Sequence, residues 1–183
     1  MNQEIKIPWS KDFILEWGDY KGVPVQNSNQ KAWTHTWIDY SKELEFIKKL
    51  PTKTKFRFKN IKVTAYFRQS ISWVKQEQLS LPNQATILKH EQGHLDLAEE
   101  HAKKVESRMK KEFMGKRFIS KGNSEQEQIA DAERIADNLL KQICDEMNAE
   151  WHSFEDQYDK ETAHGLRVGV QRSYDEKFDL LRS

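Results

Sequence analysis

From Asn83 to Met114 the chain contains no proline and a single glycine, Gly93. No other feature constrains the fold as much, because a breaker-free run of this length is expected to be one long helix. Asn83 is a good N-cap, and Ile87, His90, His94, Leu97, Ala98, Val105 and Met109 recur at helical spacing, with polar residues at some intervening positions. Inside the run lies His90-Glu91-Gln92-Gly93-His94, an H-E-x-x-H arrangement. Residues four apart stack on one helical face, so both imidazoles can reach one ion. Zinc suits such a pair, since it takes nitrogen ligands in a tetrahedral shell and keeps one position for water in catalytic sites. Glu91 then stands where a general base is needed to accept a proton from that water and deliver it to a leaving amine. With six His and eighteen Glu in 183 residues, the pattern arises in roughly 2% of shuffled chains, so it is read as a site.

The segments on either side set the fold class. Up to about Val74 the chain reads as strands: Trp9 to Trp17 and Ala32 to Tyr40 are rich in aromatic, β-branched and Thr residues, with turn residues between them. Phe56, Phe58, then Ile61, Val63, Ala65 and Phe67 alternate with polar residues, and the phase slips at Lys59-Asn60, as at a turn or bulge. A short helix is expected between Lys42 and Leu50. After the metal helix, Gly115 to Gly122 reads as a basic loop and Ser124-Glu125-Gln126-Glu127 as a capping box. A second long helix then runs through Ile129, Leu139, Trp151 and Tyr158 to a stop at Gly165. The expectation is one α+β domain over residues 1–183, with an antiparallel β-sheet in 1–80, a helical hairpin carrying the metal site in 83–165, and a tail in 166–183.

A catalytic zinc needs a third protein ligand. Glu99 points about 140° away from His94 around the helix, and His101 lies about 10 Å along the axis. The metzincin pattern places its third histidine one residue earlier, after a glycine, and does not fit. The other candidates end the second helix, in Tyr158-Asp159-Lys160-Glu161-Thr162-Ala163-His164-Gly165. By itself this segment is a tyrosine on an apolar face, solvated acids and a frayed helix end.

Together these motifs carry a resemblance. His90-Glu91-Gln92-Gly93-His94 with Asp96 and Glu99, then Tyr158-Asp159, Thr162 and His164-Gly165, resemble the bacterial family of predicted secreted zinc-dependent proteases. The early Leu15-Glu16-Trp17-Gly18-Asp19-Tyr20-Lys21-Gly22-Val23-Pro24 and the Ser72-Trp73 pair are similar to that family's signatures as well. The resemblance runs from about Trp9 to Gly165. It implies a zincin-like fold, Zn2+ bound by His90, His94 and His164, Glu91 as base, Asp159 orienting an imidazole, and Tyr158 donating to the developing oxyanion. It also implies a peptide or protein substrate and a secreted or periplasmic location. Glu161 remains an alternative ligand. A straight hairpin folded about the Gly115–Gly122 loop would set His90 opposite about residue 148, which favours Glu150, His152 or Glu155 instead.

Composition narrows the partners. Thirty Lys and Arg against 29 Asp and Glu give a net charge of +1, too little for a dedicated nucleic-acid binder. Eight Lys or Arg between Lys103 and Lys121 read as a solvated face. No apolar run is long enough to span a bilayer. The single cysteine, Cys144, excludes an internal disulfide and any cysteine-based zinc site. Met1 to Pro8 carry no basic region followed by an apolar stretch, so no signal peptide is expected in the chain as given, and a cytoplasmic location stands as the alternative to a signal already removed. The sequence leaves the oligomeric state open. Two rival functions remain: a noncatalytic binding module braced by zinc, and a metallohydrolase of cell-wall peptide amides. Trp73 is expected to line a substrate groove if its strand is an exposed edge, the Ile61–Phe67 alternation marking that edge.

Overall fold

The computed structural model describes residues 4–183; the reading of Met1 to Gln3 lies outside the described residues. The described residues form short and long antiparallel strands followed by three helices, an α+β arrangement. The chain divides into two compact units. One holds residues up to Asp39, Thr64–Ala102 and Glu150–Ser183; the other holds Tyr40–Val63 and Lys103–Ala149.

In the first unit, β1 (Lys6–Pro8) pairs with the end of β4 (Lys53–Arg68), Lys6 opposite Arg68 and Pro8 opposite Tyr66. Strand β2 (Ala32–Trp33) pairs with β5 (Trp73–Val74) in a separate ribbon. The expected strand from Trp9 to Trp17 is replaced by irregular chain leading to a 3-10 turn at Trp17–Asp19. Here the Glu16 N–H donates to the Asp19 carboxylate, a local bond that competes with strand pairing. Leu15, Tyr20, Ala32, Phe67, Val74, Leu79, Ile87 and Leu95 make the core that this irregular segment covers. Helix α1 (Leu81–Phe113) begins two residues before the expected Asn83 cap. Pro82 sits in its first turn, where its missing N–H is not needed, and the Ser80 carbonyl accepts from Gln84.

In the second unit the expected helix at Lys42–Leu50 is instead part of β3 (Thr36–Leu50), a strand hydrogen-bonded to β4. Leu44 and Phe46 fit either period. As a strand the segment pairs with β4, and exposed ion pairs cross that pairing, Arg57 with Glu45 at 2.7 Å and Lys59 with Glu43 at 3.1 Å. Strand β4 is continuous, and its buried positions slip phase at Lys59-Asn60 as expected. The expected loop after α1 contains β6 (Phe118–Lys121), which pairs with Lys53–Phe56. Phe118 packs there against Phe56, Phe58 and Phe113.

Helix α2 (Glu125–Thr162) starts as the capping box foretells in one respect: the Ser124 hydroxyl accepts the Glu127 N–H. The Glu127 carboxylate accepts from Asn123 rather than from Ser124. Because β6 leads the chain back along β4, the helices are not symmetric about a tight loop. Gln128 near the start of α2 bonds Thr54 of β4, and Arg108 of α1 meets Glu146, where a symmetric hairpin would offer about residue 130. The tail forms a helix, α3 (Val168–Arg182).

Candidate metal centre

All the site residues belong to the first unit. His90 and His94 project from one face of α1, and Asp159 reaches them from the last turn of α2. One oxygen of Asp159, Oδ1, lies 3.0 Å from Nε2 of His90 and 3.0 Å from Nε2 of His94. Donor atoms of these three side chains lie within 4.8 Å of one another, the one such group of His, Cys, Asp or Glu among the described residues.

His164 stands beside this group. Its Nδ1 is 3.4 Å from the same Asp159 oxygen, and its side chain is about half exposed. Its placement depends on the chain reversal after α2, where Ala163, His164 and Gly165 all adopt left-handed backbone, at φ of 50°, 54° and 82°. Two consecutive non-glycine residues in that region are strained, which marks the turn as a constrained feature beside the cluster. Gly165 is required twice over: its φ is positive, and a Cβ there would lie 2.8 Å from His90 Cβ.

Hydrogen bonds fix the His90 ring. The Thr162 hydroxyl donates to the Tyr158 carbonyl at 2.6 Å, so toward His90 Nδ1, 3.2 Å away, its oxygen serves as acceptor. With the proton on Nδ1, Nε2 of the neutral ring would be the metal-binding atom; without metal the same Nε2 faces the Asp159 carboxylate, which only accepts, so that hydrogen bond needs a ring protonated on both nitrogens. On the other side of the ring Tyr158 stacks at a centroid distance of 4.6 Å. Tyr158 is fully buried; its hydroxyl donates to the His90 carbonyl at 3.1 Å and accepts from Gln171 Nε2 at 2.9 Å. The Tyr158 hydroxyl, the expected oxyanion donor, is thus bonded to the His90 carbonyl and to Gln171 inside the protein. The ring also explains Gly93, where a Cβ would come 2.0 Å from the Tyr158 hydroxyl.

Glu91 is buried, and its Oε2 accepts from the Thr34 hydroxyl at 2.5 Å. The charges follow from these contacts. Burial raises the Asp159 pKa, but hydrogen bonds from His164, His90 and His94 outweigh it and hold the carboxyl far below its usual range. Burial pulls His90 down. Burial pulls His94 down as well, yet the hydrogen bond to Asp159 and the Glu91 and Asp159 charges carry it above the ordinary value. Asp159 raises His164 against a smaller burial effect. Glu155, one turn before Asp159, is raised by burial and is felt by His94.

The remaining sequence candidates fall elsewhere. His152 is exposed and lies 3.7 Å from Glu155. Glu161 is half-buried and accepts from Tyr174 and Gln157. His101 is buried against the Trp151 ring. Glu150 is exposed. The straight-hairpin expectation thus fails, because the helices pair in the shifted register. Thr34 and Gln171 had no sequence signal; Tyr20 and Thr162 entered only as members of the segments that carry the resemblance, and Thr162 also shares helical phase with Tyr158 and Asp159.

These three side chains could hold a metal ion. A tetrahedral zinc shell with bonds of about 2.0–2.2 Å would separate neighbouring donors by about 3.3 Å, against 3.0 Å for the two Asp159–histidine pairs and up to 4.8 Å within the group. The Nδ1 of His94 is buried without a hydrogen-bond partner. No protein-family model, curated protein or solved structure compared with this chain matches it.

Proposed function

We propose that this chain is a metal-dependent hydrolase of peptide bonds, with zinc held by His90, His94 and Asp159. The observation that carries the reading is the single Asp159 oxygen set 3.0 Å from both Nε2 atoms, with the buried, hydrogen-bonded carboxylate of Glu91 next to His90 in the chain. Zinc bound there supplies Lewis-acid polarisation of a substrate carbonyl and lowers the pKa of water. Glu91 accepts the proton of the attacking water and returns it to the leaving amine. Thr162 and Tyr158 hold the His90 ring in position from either side. His164 stands half exposed beside Asp159. The resemblance to bacterial secreted zinc-dependent proteases supports the reaction, a zincin-like fold and a secreted or periplasmic location.

A second reading rests on His164. If its Nδ1 joins the other three donors, four protein ligands close the shell and the ion only braces α1 against α2. Glu91→Gln separates the two. On the hydrolase reading it retains zinc and loses cleavage across a panel of casein, small peptides and peptidoglycan. A wild-type protein that binds zinc and cleaves none of them, or a Glu91→Gln variant as active as wild type, overturns that reading.

A further inference from the structure

We propose that Tyr20 and Thr34 form a hydrogen-bond relay that positions the Glu91 carboxylate, an inference that rests on Glu91 acting as the base. The direction of the relay follows from donor counting. The Thr34 hydroxyl lies 2.5 Å from Glu91 Oε2 and 2.7 Å from the Tyr20 hydroxyl. An ionised carboxylate only accepts, so the Thr34 hydrogen goes to Glu91. The Tyr20 hydrogen must then go to Thr34. One carboxylate oxygen is thereby committed to Thr34, and proton transfer falls to the other. All three side chains are at least nine-tenths buried, so water does not compete for these bonds.

The relay is built on a braced platform. Lys21 N–H donates to the Gln69 carbonyl and Gly22 N–H to the Ser72 carbonyl, pinning the Tyr20 segment to the β4–β5 connection. A Cβ on Gly22 would lie 2.8 Å from Ile71 backbone, so only glycine permits this approach. The Ser72 hydroxyl accepts from His35 N–H and donates to the Arg68 carbonyl, fixing the chain one residue beyond Thr34. The β2–β5 pairing holds Trp33 opposite Trp73. Trp17 and Phe67 clasp the Tyr20 ring at centroid distances of 5.3 and 5.4 Å. The early Trp17-Gly18-Asp19-Tyr20-Lys21-Gly22 segment and the Ser72-Trp73 pair, which lie far from His90 in sequence, thus act on the same carboxylate. Burial and the Glu91 charge raise the Tyr20 pKa well above its ordinary value, keeping it a permanent donor.

The test uses the zinc-loaded full chain with Thr34→Val, Thr34→Ser and Tyr20→Phe, read in two ways. The first is kcat and KM on whichever peptide the wild type cleaves. Thr34→Val, which is isosteric, is expected to lower kcat about 10- to 100-fold with KM and zinc content unchanged, and Thr34→Ser to restore most of it. The second is the carboxyl 13C resonance of Glu91 in glutamate-labelled protein, assigned by its loss in Glu91→Gln. Thr34→Val is expected to shift it, Tyr20→Phe to shift it less, and Thr34→Ser to return it. An unshifted resonance in Thr34→Val, a Thr34→Ser variant as impaired as Thr34→Val, or activity lost in proportion to zinc overturns the relay. If Thr34→Val does not fold, an unshifted resonance in Tyr20→Phe does so. A wild type that cleaves nothing refutes the hydrolase reading alone, and the resonance still decides the relay.

Discussion

The ring of Tyr158 lies parallel to the His90 imidazole, 4.6 Å away and tilted by only 13°, while its hydroxyl donates to the His90 main-chain carbonyl. One residue of α2 therefore fixes both the side chain and the backbone of a candidate ligand on α1. Tyr158→Phe keeps the stack but leaves the His90 carbonyl and the Gln171 amide without this partner. The expected cost is about 1–3 kcal/mol of stability, measured by urea denaturation, with zinc content retained. Tyr158→Ala removes the stack too and is expected to weaken zinc binding in addition. Equal zinc affinity in the two variants would show that the ring does not orient His90.

The division of labour between Asp159 and His164 can be measured with zinc alone. If Asp159 is the third ligand, Asp159→Ala lowers zinc affinity by more than 100-fold, whereas His164→Ala changes it about 10-fold or less, as for loss of a neighbouring support. Competition with a chelator of known affinity reads both. The reverse order would restore the histidine that the sequence resemblance implies and make Asp159 its orienting partner.

The sequence and the structure agree best where the signal is local. Helix α1 is legible because Asn83 to Met114 lacks breakers, and the pairing of His90 with His94 follows from helical geometry alone. Residues Tyr158, Asp159 and Thr162 share one face of α2 for the same reason. What brings that face to His90 is not local. The straight-hairpin argument goes astray because it treats residues 115–122 as a loop, whereas Phe118–Lys121 pairs with Lys53–Phe56 and shifts the register of the helices. Lys42–Leu50 shows the same limit, since its ion pairs to Arg57 and Lys59 exist only once β4 lies beside it. Thr34 carries no pattern at all, and its role appears only where its hydroxyl meets a carboxylate 57 residues away.

The ionisation of the cluster predicts opposite pH responses with and without metal. In the metal-free protein His94 and His164 have raised pKa values, so the stability they contribute is complete below about 6.5 and is lost as pH rises through their folded values. Asp159 is depressed, so its contribution is present above about 4 and is lost only as pH falls toward its folded value. His90, lowered by burial, works the other way and trims the gain on the acid side. The metal-free Tm should therefore be highest between about pH 4 and 6.5 and decline toward pH 8.5. Zinc binding needs unprotonated imidazoles, so the Tm increment from added zinc should grow over the range where the metal-free value falls. An increment independent of pH would place the ion elsewhere.

Two residues after His94, Asp96 forms a buried ion pair with Arg182. Arg182 donates to both of its oxygens, from Nε at 3.1 Å and from Nη2 at 2.5 Å, and Trp9 Nε1 donates at 2.7 Å. The same guanidinium donates to the carbonyls of Lys11 and Phe13, both at 3.0 Å, tying the end of α3 and the N-terminal segment to the helix that carries both histidines. Burial raises the Asp96 pKa even with these partners in place, so removing the cation leaves a carboxylate that must either remain charged in a dry site or take a proton. Arg182→Ala is expected to destabilise the chain by about 3–5 kcal/mol in urea denaturation. Arg182→Lys should recover little, because an ammonium cannot span both oxygens and two carbonyls at once. If the pair matters for specificity of placement rather than for stability, Asp96→Asn combined with Arg182→Met will regain most of the lost stability while protection of α3 amides from hydrogen exchange stays low. Full protection in the double variant would show that the Tyr158–Phe178 contact and the Tyr158–Gln171 bond suffice to seat α3 against α2.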